Sequence, residues 1–216
     1  LPGWGSHCLD DTPPPPGATL CVGIDHGTGA GKQAAALVAI YQPEKEIHPR
    51  VWVLEEYRAD GFSTPEMDAS GILAMLARRG YTYDDVDVWK GDRATGMDKH
   101  DIAKSNKLIR VELARLLGRR DSDSRMKRIE VPYKRAGSVL WGFRMLNAMM
   151  GRRAPDGTPH FRVATHLKEF PLAAGKWRGE SKSPLKDILD GVRYPVESVV
   201  RVGAWFPFQD YQVFTS

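Results

Sequence analysis

The stretch from Leu20 to Tyr57 constrains the fold more than any other part of the chain. Leu20, Val22 and Ile24 alternate with Cys21, Gly23 and Asp25, the two-residue period of a strand. Gly27, Gly29 and Gly31 force a turn, and Ala34 to Tyr41 is a second apolar strand-like run. Gln42 to Glu46, with Pro43, turns the chain again before a third strand from Val51 to Tyr57. Three consecutive strands joined by short turns make an antiparallel meander, and the rest of the chain must pack on or beside it.

Beyond the meander, helices and strands alternate. Ser63-Thr64-Pro65-Glu66 has the form of a capping box, and Ile72, Leu73, Leu76 and Ala77 recur at helical spacing up to Gly80. Val86 to Trp89 is a fourth strand that runs into Lys90-Gly91-Asp92, and a helix from about Ile102 to Leu117 stops at Gly118. Arg128 to Tyr133 suggests a short strand, Ser138 to Met150 a helix, and His160 to Val163 a further strand. The last helix begins at Ser183-Pro184 and carries Leu185, Ile188, Leu189, Val192, Val196 and Val199 on one stripe, with Pro195 expected to kink or interrupt it. A meander succeeded by alternating strands and helices implies an α/β fold, a mixed sheet with helices on its faces.

The chain has 216 residues, a length that one α/β domain accommodates. Residues 1–19, with Pro13 to Pro16 in a row, read as a linker or N-terminal tail, residues 20–205 as the domain and residues 206–216 as a C-terminal tail. No apolar run approaches the roughly 18 residues of a membrane span, and the start lacks a signal-peptide layout, so the expected setting is cytoplasmic. Cys8 and Cys21 are too few for a disulfide framework. The net charge of +4 is unevenly spread: residues 1–92 carry 7 basic and 14 acidic side chains, whereas residues 93–153 carry 16 and 6. That middle third, including Arg119, Arg120, Lys127, Arg128, Lys134 and Arg135, suits either a polyanion surface or an ordinary solvated helical face.

Two acids end strands. Asp25 meets a glycine-rich turn, and Asp92 ends the fourth strand in the same way; if strands one and four are neighbours, the two carboxylates converge as a divalent metal requires. Each acid alone is equally at home as a turn or loop residue. Asp187 and Asp190 lie three apart on the last helix and face the same way as Tyr194, opposite the apolar stripe, an arrangement that a solvated helix face would also produce. Gly27-Thr28-Gly29-Ala30-Gly31-Lys32 evokes a phosphate-binding loop. It lacks the first glycine at the required spacing, and Gln33 replaces the hydroxyl that would hold Mg²⁺. The six histidines show no zinc spacing.

Taken together, Val22-Gly23-Ile24-Asp25-His26-Gly27, Lys90-Gly91-Asp92-Arg93-Ala94 and Lys186-Asp187-Ile188-Leu189-Asp190-Gly191-Val192-Arg193-Tyr194 resemble the nuclease domain of bacteriophage large terminases. The resemblance spans roughly residues 20 to 200 and implies a ribonuclease H-like fold, with Asp25 and Asp92 as metal ligands and the third ligand at Asp187 or Asp190. Lys186 stands where the family often has a first Asp, and Gly191 where Ala is usual; Asp187 matches the second Asp of the family's doublet. The implied activity is hydrolysis of double-stranded DNA by two Mg²⁺ or Mn²⁺ ions about 3.5–4 Å apart, cutting concatemeric DNA during genome packaging. The basic middle would contact phosphates with little sequence readout. The resemblance further implies an ATPase domain in the full protein, portal and small terminase subunits as partners, action in the host cytoplasm, and a monomeric isolated domain.

Three other readings are open to such a chain. A resolvase or integrase of the same superfamily would share the acids but not the Arg193-Tyr194 ending. An actin-like or sugar-kinase fold shares Asp25-His26-Gly27-Thr28-Gly29 but needs a second phosphate loop that the chain lacks. A non-catalytic DNA-binding module would use the basic middle and leave the placed acids unexplained.

Overall fold

The computed structural model describes residues 1–27, 31–44, 46, 48–92, 105–132, 138–180 and 183–200. Strands β1 (Thr19–Asp25), β2 (Ala34–Tyr41) and β3 (Arg50–Arg58) form the expected meander. Helix α1 (Pro65–Arg78) leads to β4 (Val88–Gly91), which returns beside β1 in parallel. Helix α2 (Asn106–Leu116), β5 (Ile129–Glu130), α3 (Ser138–Met150), β6 (Phe161–Val163), α4 (Glu169–Lys176) and α5 (Leu185–Val199) come next. The six strands form one mixed sheet in the order β5-β4-β1-β2-β3-β6, antiparallel within the meander and parallel at β1-β4, β4-β5 and β3-β6. This is the ribonuclease H-like arrangement.

Strand periodicity sorts the sheet's side chains into two cores. Leu20, Val22, Ile24, Ala35, Leu37 and Trp52 point to the face covered by α1 and α2. Cys21, Ala34, Ala36, Val38, Val51 and Val53 point to the face covered by α3, α4 and α5. Both faces are buried, which is why β2 reads as an unbroken apolar run rather than an alternating one. Cys8 and Cys21 are both buried free thiols.

Three elements depart from the sequence expectation. The N-cap of α1 is Thr64, whose hydroxyl accepts from the Met67 amide at 3.3 Å, so the cap falls one residue after the Ser63 that opens the apparent capping box. Helix α5 runs through Pro195 without interruption. Its polar side is not solvated either: Asp190, Arg193 and Tyr194 are all buried, because α5 lies across the sheet and is covered from the far side by α3 and α4. Helix α4 has no local start signal, since its first amides are capped from far away in sequence: the Glu56 carboxylate on β3 accepts from the amides of Lys168, Glu169 and Phe170, each at 2.8 Å.

Part of the proline-bearing N-terminal stretch packs on the domain. Cys8 joins the core, Leu9 bridges to Val163, and Asp10 meets the buried Arg162 guanidinium at 2.9 Å. Among the described residues no helix is long and apolar enough to cross a membrane. The expected tail at 206–216 lies outside the described residues.

Candidate functional site

Asp25 and Asp92 stand side by side. Ile24 is in register with Gly91 across the parallel β1-β4 pair, and the Asp92 amide continues that ladder to the Ile24 carbonyl at 3.1 Å. Both acids therefore project to the sheet face that α5 covers. That helix comes unusually close. A Cβ on Gly23 would lie 1.8 Å from the Gly191 carbonyl oxygen and 2.6 Å from Cδ of Pro195, so only glycine at position 23 lets α5 settle onto β1. Pro195 has no amide to offer the Gly191 carbonyl one turn earlier, and that carbonyl is the group turned toward Gly23.

This seating puts the α5 side chains over the strand ends. Tyr194 is 1% exposed, and its hydroxyl lies 3.0 Å from Oδ1 of Asp25 and 3.2 Å from Oδ2 of Asp92, donating between them. Burial pushes the Asp25 carboxyl up to about 8, with the nearby charges of Asp190, Asp187 and Asp92 adding to the effect and Lys186 opposing it. Asp187 is pushed up to about 6, again by burial first, against the opposing pull of Arg58 and Lys186. Its Oδ2 is buried without a hydrogen-bond partner.

Asp190 is in a different condition. Its carboxylate is fully buried and held by two cations, the Lys186 ammonium one turn earlier and the Arg193 guanidinium at 2.7 Å. Arg193 in turn reaches Glu197 at 2.8 Å. Of the two helix acids, the structure thus satisfies Asp190 within the protein and leaves an oxygen of Asp187 unsatisfied beside Asp25. Asp25, Asp92 and Asp187 could hold a divalent cation of the oxygen-seeking kind. Among the described residues no three His, Cys, Asp or Glu side chains are gathered tightly enough to enclose an ion as they stand.

Further groups brace the strand ends without having been singled out from the sequence. His26 is buried; its Nε2 donates to Oδ1 of Asn106 at 2.6 Å while Nδ1 accepts from Gln33, and burial holds its pKa below the usual imidazole value. Asn106, the first residue of α2, donates to the Gly91 carbonyl at 2.8 Å, so this relay ties β1, β4 and α2 together beside Asp25 and Asp92. Arg58, at the end of β3, donates to the Gly31 carbonyl, the Glu169 carboxylate and the Pro184 carbonyl, which fixes the start of α5 and hence Asp187. The sequence signal for these is faint: His26 and Arg58 simply sit at strand ends.

The candidate DNA-binding cations divide. Arg119 makes a paired contact with Asp84, at 2.7 and 2.5 Å, and Lys127 caps the carbonyls of Asp84 and Val86. Arg120 and Arg128 are exposed. Lys134 and Arg135 lie outside the described residues.

No protein-family model matches the chain, and no curated protein matches it by sequence. Among solved structures, the large terminase of a thermophilic bacteriophage superposes in two crystal forms. Crystal form 3 gives a TM-score of 0.59 at 15% identity, over 91% of this chain and 44% of that one; crystal form 2 gives 0.58 at 14%. The large terminase nuclease domain from bacteriophage SPP1, solved with bound Mn, aligns at a TM-score of 0.45 and 14% identity, over 84% of this chain and 87% of that one. The chain spans less than half the length of the thermophilic phage protein. With the carboxylates at the ends of adjacent parallel strands and a helix laid across them, the chain has the fold of the matched part of that large terminase.

Proposed function

We propose that this chain is the metal-dependent DNA endonuclease domain of a viral large terminase, cutting concatemeric double-stranded DNA during genome packaging. One observation carries the reading: Asp187, hydrogen-bonded to Asp25 and with its Oδ2 left unpartnered, joins Asp25 and Asp92 at one end of the sheet, while Asp190, equally close in sequence, is neutralised by Lys186 and Arg193. Carboxyls brought to one sheet end by packing, with one oxygen left unbonded, would make a site for a divalent cation once they close around it. Its oxygen-only donors suit Mg²⁺ or Mn²⁺. A pair of such ions would activate water and stabilise the leaving oxygen of a phosphodiester.

The chain's own residues do the positioning. Asp25, Asp92 and Asp187 would hold the metal; Tyr194 keeps the first two side by side, and Arg58 keeps Asp187 in place by anchoring the start of α5. Asp190 acts as a structural anchor within α5. Exposed Arg120 and Arg128 are available to phosphates, whereas Arg119 and Lys127 are engaged by the fold. In the full protein the domain would work with an ATPase domain, a portal and a small terminase subunit in the host cytoplasm.

The test is cleavage of supercoiled plasmid in Mg²⁺, Mn²⁺ or EDTA. Nicking that needs metal and vanishes in Asp25→Asn, Asp92→Asn and Asp187→Asn supports the reading, as does a metal-induced rise in melting temperature that those variants lose. A chain that binds DNA but cleaves none in either metal is a binding module instead.

A further inference from the structure

Outside the carboxylate cluster, one side chain stands out for projecting from a pinned loop where nothing inside the fold uses it. Phe62 is 78% exposed, the most exposed large hydrophobic among the described residues. Single exposed apolar residues are common on proteins, so exposure alone says little. What distinguishes Phe62 is its platform. The loop that carries it leaves β3 at Arg58 and is pinned to the loop after β1: the Ala59 amide donates to the Gln33 carbonyl at 3.0 Å, and the Gly31 amide donates to the Gly61 carbonyl at 2.7 Å. Gly61, with φ of +81°, supplies the left-handed turn just before the ring, and Thr64 caps α1 just after it.

The sheet register places this platform on the edge that bears the acids. Asp25 pairs with Ala34, and Ala34 pairs with Arg58, so Asp25 and Arg58 lie in one row two strands apart, about 10 Å at the usual strand spacing. Four more residues extend at most about 14 Å. Phe62 is therefore within roughly 25 Å of Asp25, less than one turn of a DNA duplex, about 34 Å. On the abutting loop Lys32 is exposed, offering a cation to the phosphates of anything that lies there.

We infer that Phe62 is a duplex contact flanking the cleavage site: its ring wedges against a base step within one turn of the scissile phosphate, with Lys32 on the neighbouring backbone. The inference rests on the nuclease reading and adds to it the group that grips the substrate's bases. An apolar wedge of this kind partly unstacks a step and bends the duplex, and it tolerates any sequence because every base presents a π face.

The experiment measures duplex binding by fluorescence anisotropy in Ca²⁺, with 2-aminopurine in the duplex to report unstacking, for the wild-type chain, Phe62→Ala, Phe62→Trp and Lys32→Ala. Phe62→Ala should weaken binding about tenfold and abolish the 2-aminopurine rise, with the salt dependence unchanged; Phe62→Trp should restore both. Lys32→Ala should lower the salt slope by about one and keep the fluorescence rise. Because residue 62 is exposed, none of these changes threatens folding. Wild-type affinity and fluorescence in Phe62→Ala overturn the inference while metal-dependent nicking by the wild type keeps the nuclease reading intact. A wild-type chain that neither binds duplex nor nicks plasmid overturns the nuclease reading, and the wedge with it.

Discussion

Replacing either of the two glycines at the β1-α5 crossing tests the seating of α5, and the two replacements should act in opposite directions. A methyl at position 23 would lie 1.8 Å from the Gly191 carbonyl oxygen and 2.6 Å from Pro195. Both obstacles belong to the helix frame rather than to a flexible side-chain tip. To reach ordinary contact, α5 must retreat by about 1.5 Å, against a core packed like a crystal. Overpacking on this scale costs about 3 kcal/mol or more, which for a domain of this size lowers the melting temperature by roughly 6–12 °C. A methyl at position 191 meets nothing nearer than 3.4 Å, at the Gly23 carbonyl oxygen. There the gain in helix propensity, about 0.8–1 kcal/mol, should raise the melting temperature by about 2–4 °C. Urea unfolding tracked by tryptophan fluorescence measures both variants. A Gly23→Ala protein within about 0.5 kcal/mol of wild type, or a Gly191→Ala protein as unstable as it, would refute the idea that close approach at this crossing seats the helix. The retreat should also part the Tyr194 hydroxyl from Asp25, so any cleavage activity should fall further in Gly23→Ala than stability alone explains.

The two helix acids should separate stability from metal binding. Asp190→Asn strips the counter-charge from the buried Arg193 and from Lys186, and should destabilise the chain by about 2–4 kcal/mol in a thermal melt. Asp187→Asn should cost under about 1 kcal/mol, because it removes no ion pair from the interior, yet abolish the stabilisation by Mn²⁺. At the N-terminal segment, burial raises the pKa of Asp10 but the hydrogen bonds from Thr12 and Arg162 outweigh it, so its folded pKa lies below the unfolded value. Its contribution is therefore present above about pH 4 and lost as pH falls through the folded pKa. Asp10→Asn should weaken the chain by about 1–2 kcal/mol at pH 7, discounted for partial exposure, and the gap to wild type should narrow as melts are taken to pH values below the ordinary aspartate pKa.

Much of the sheet was legible because strand and helix periods are local properties. The meander and the bounds of α3 come from apolar spacing and from glycine and proline punctuation. Helix α4 escaped because it is short, contains Pro171, and takes its cap from Glu56 more than a hundred residues away. The N-terminal stretch reads as linker from its prolines, whereas the contacts that hold it, Cys8 in the core and Asp10 on Arg162, are tertiary. Asp25 and Asp92 were legible as strand-ending acids, and their adjacency needed only the β1-β4 pairing. The condition of Asp187 against Asp190 was partly legible in retrospect: Lys186 and Arg193 stand four before and three after Asp190, the spacings at which helix charges meet. Nothing local announced that His26 would reach Asn106, 80 residues on, or that α5 would be buried on its polar side.

The bond between Tyr194 and Asp25 joins residues 169 positions apart, so this cluster cannot be complete until residue 194 is in place. Contacts of such separation form only after the intervening segment has been ordered, and loop closure of that length is slow compared with local helix formation. During synthesis β1 emerges early with its acid exposed and no partner helix to bring Asp187 over it. A chain that ends short of residue 194 lacks the helix side of the candidate carboxylate site. On the proposed reading the topology acts as a timer: competence to cut arrives only once α5 is in place over β1, and a product ending before α5 would lack it.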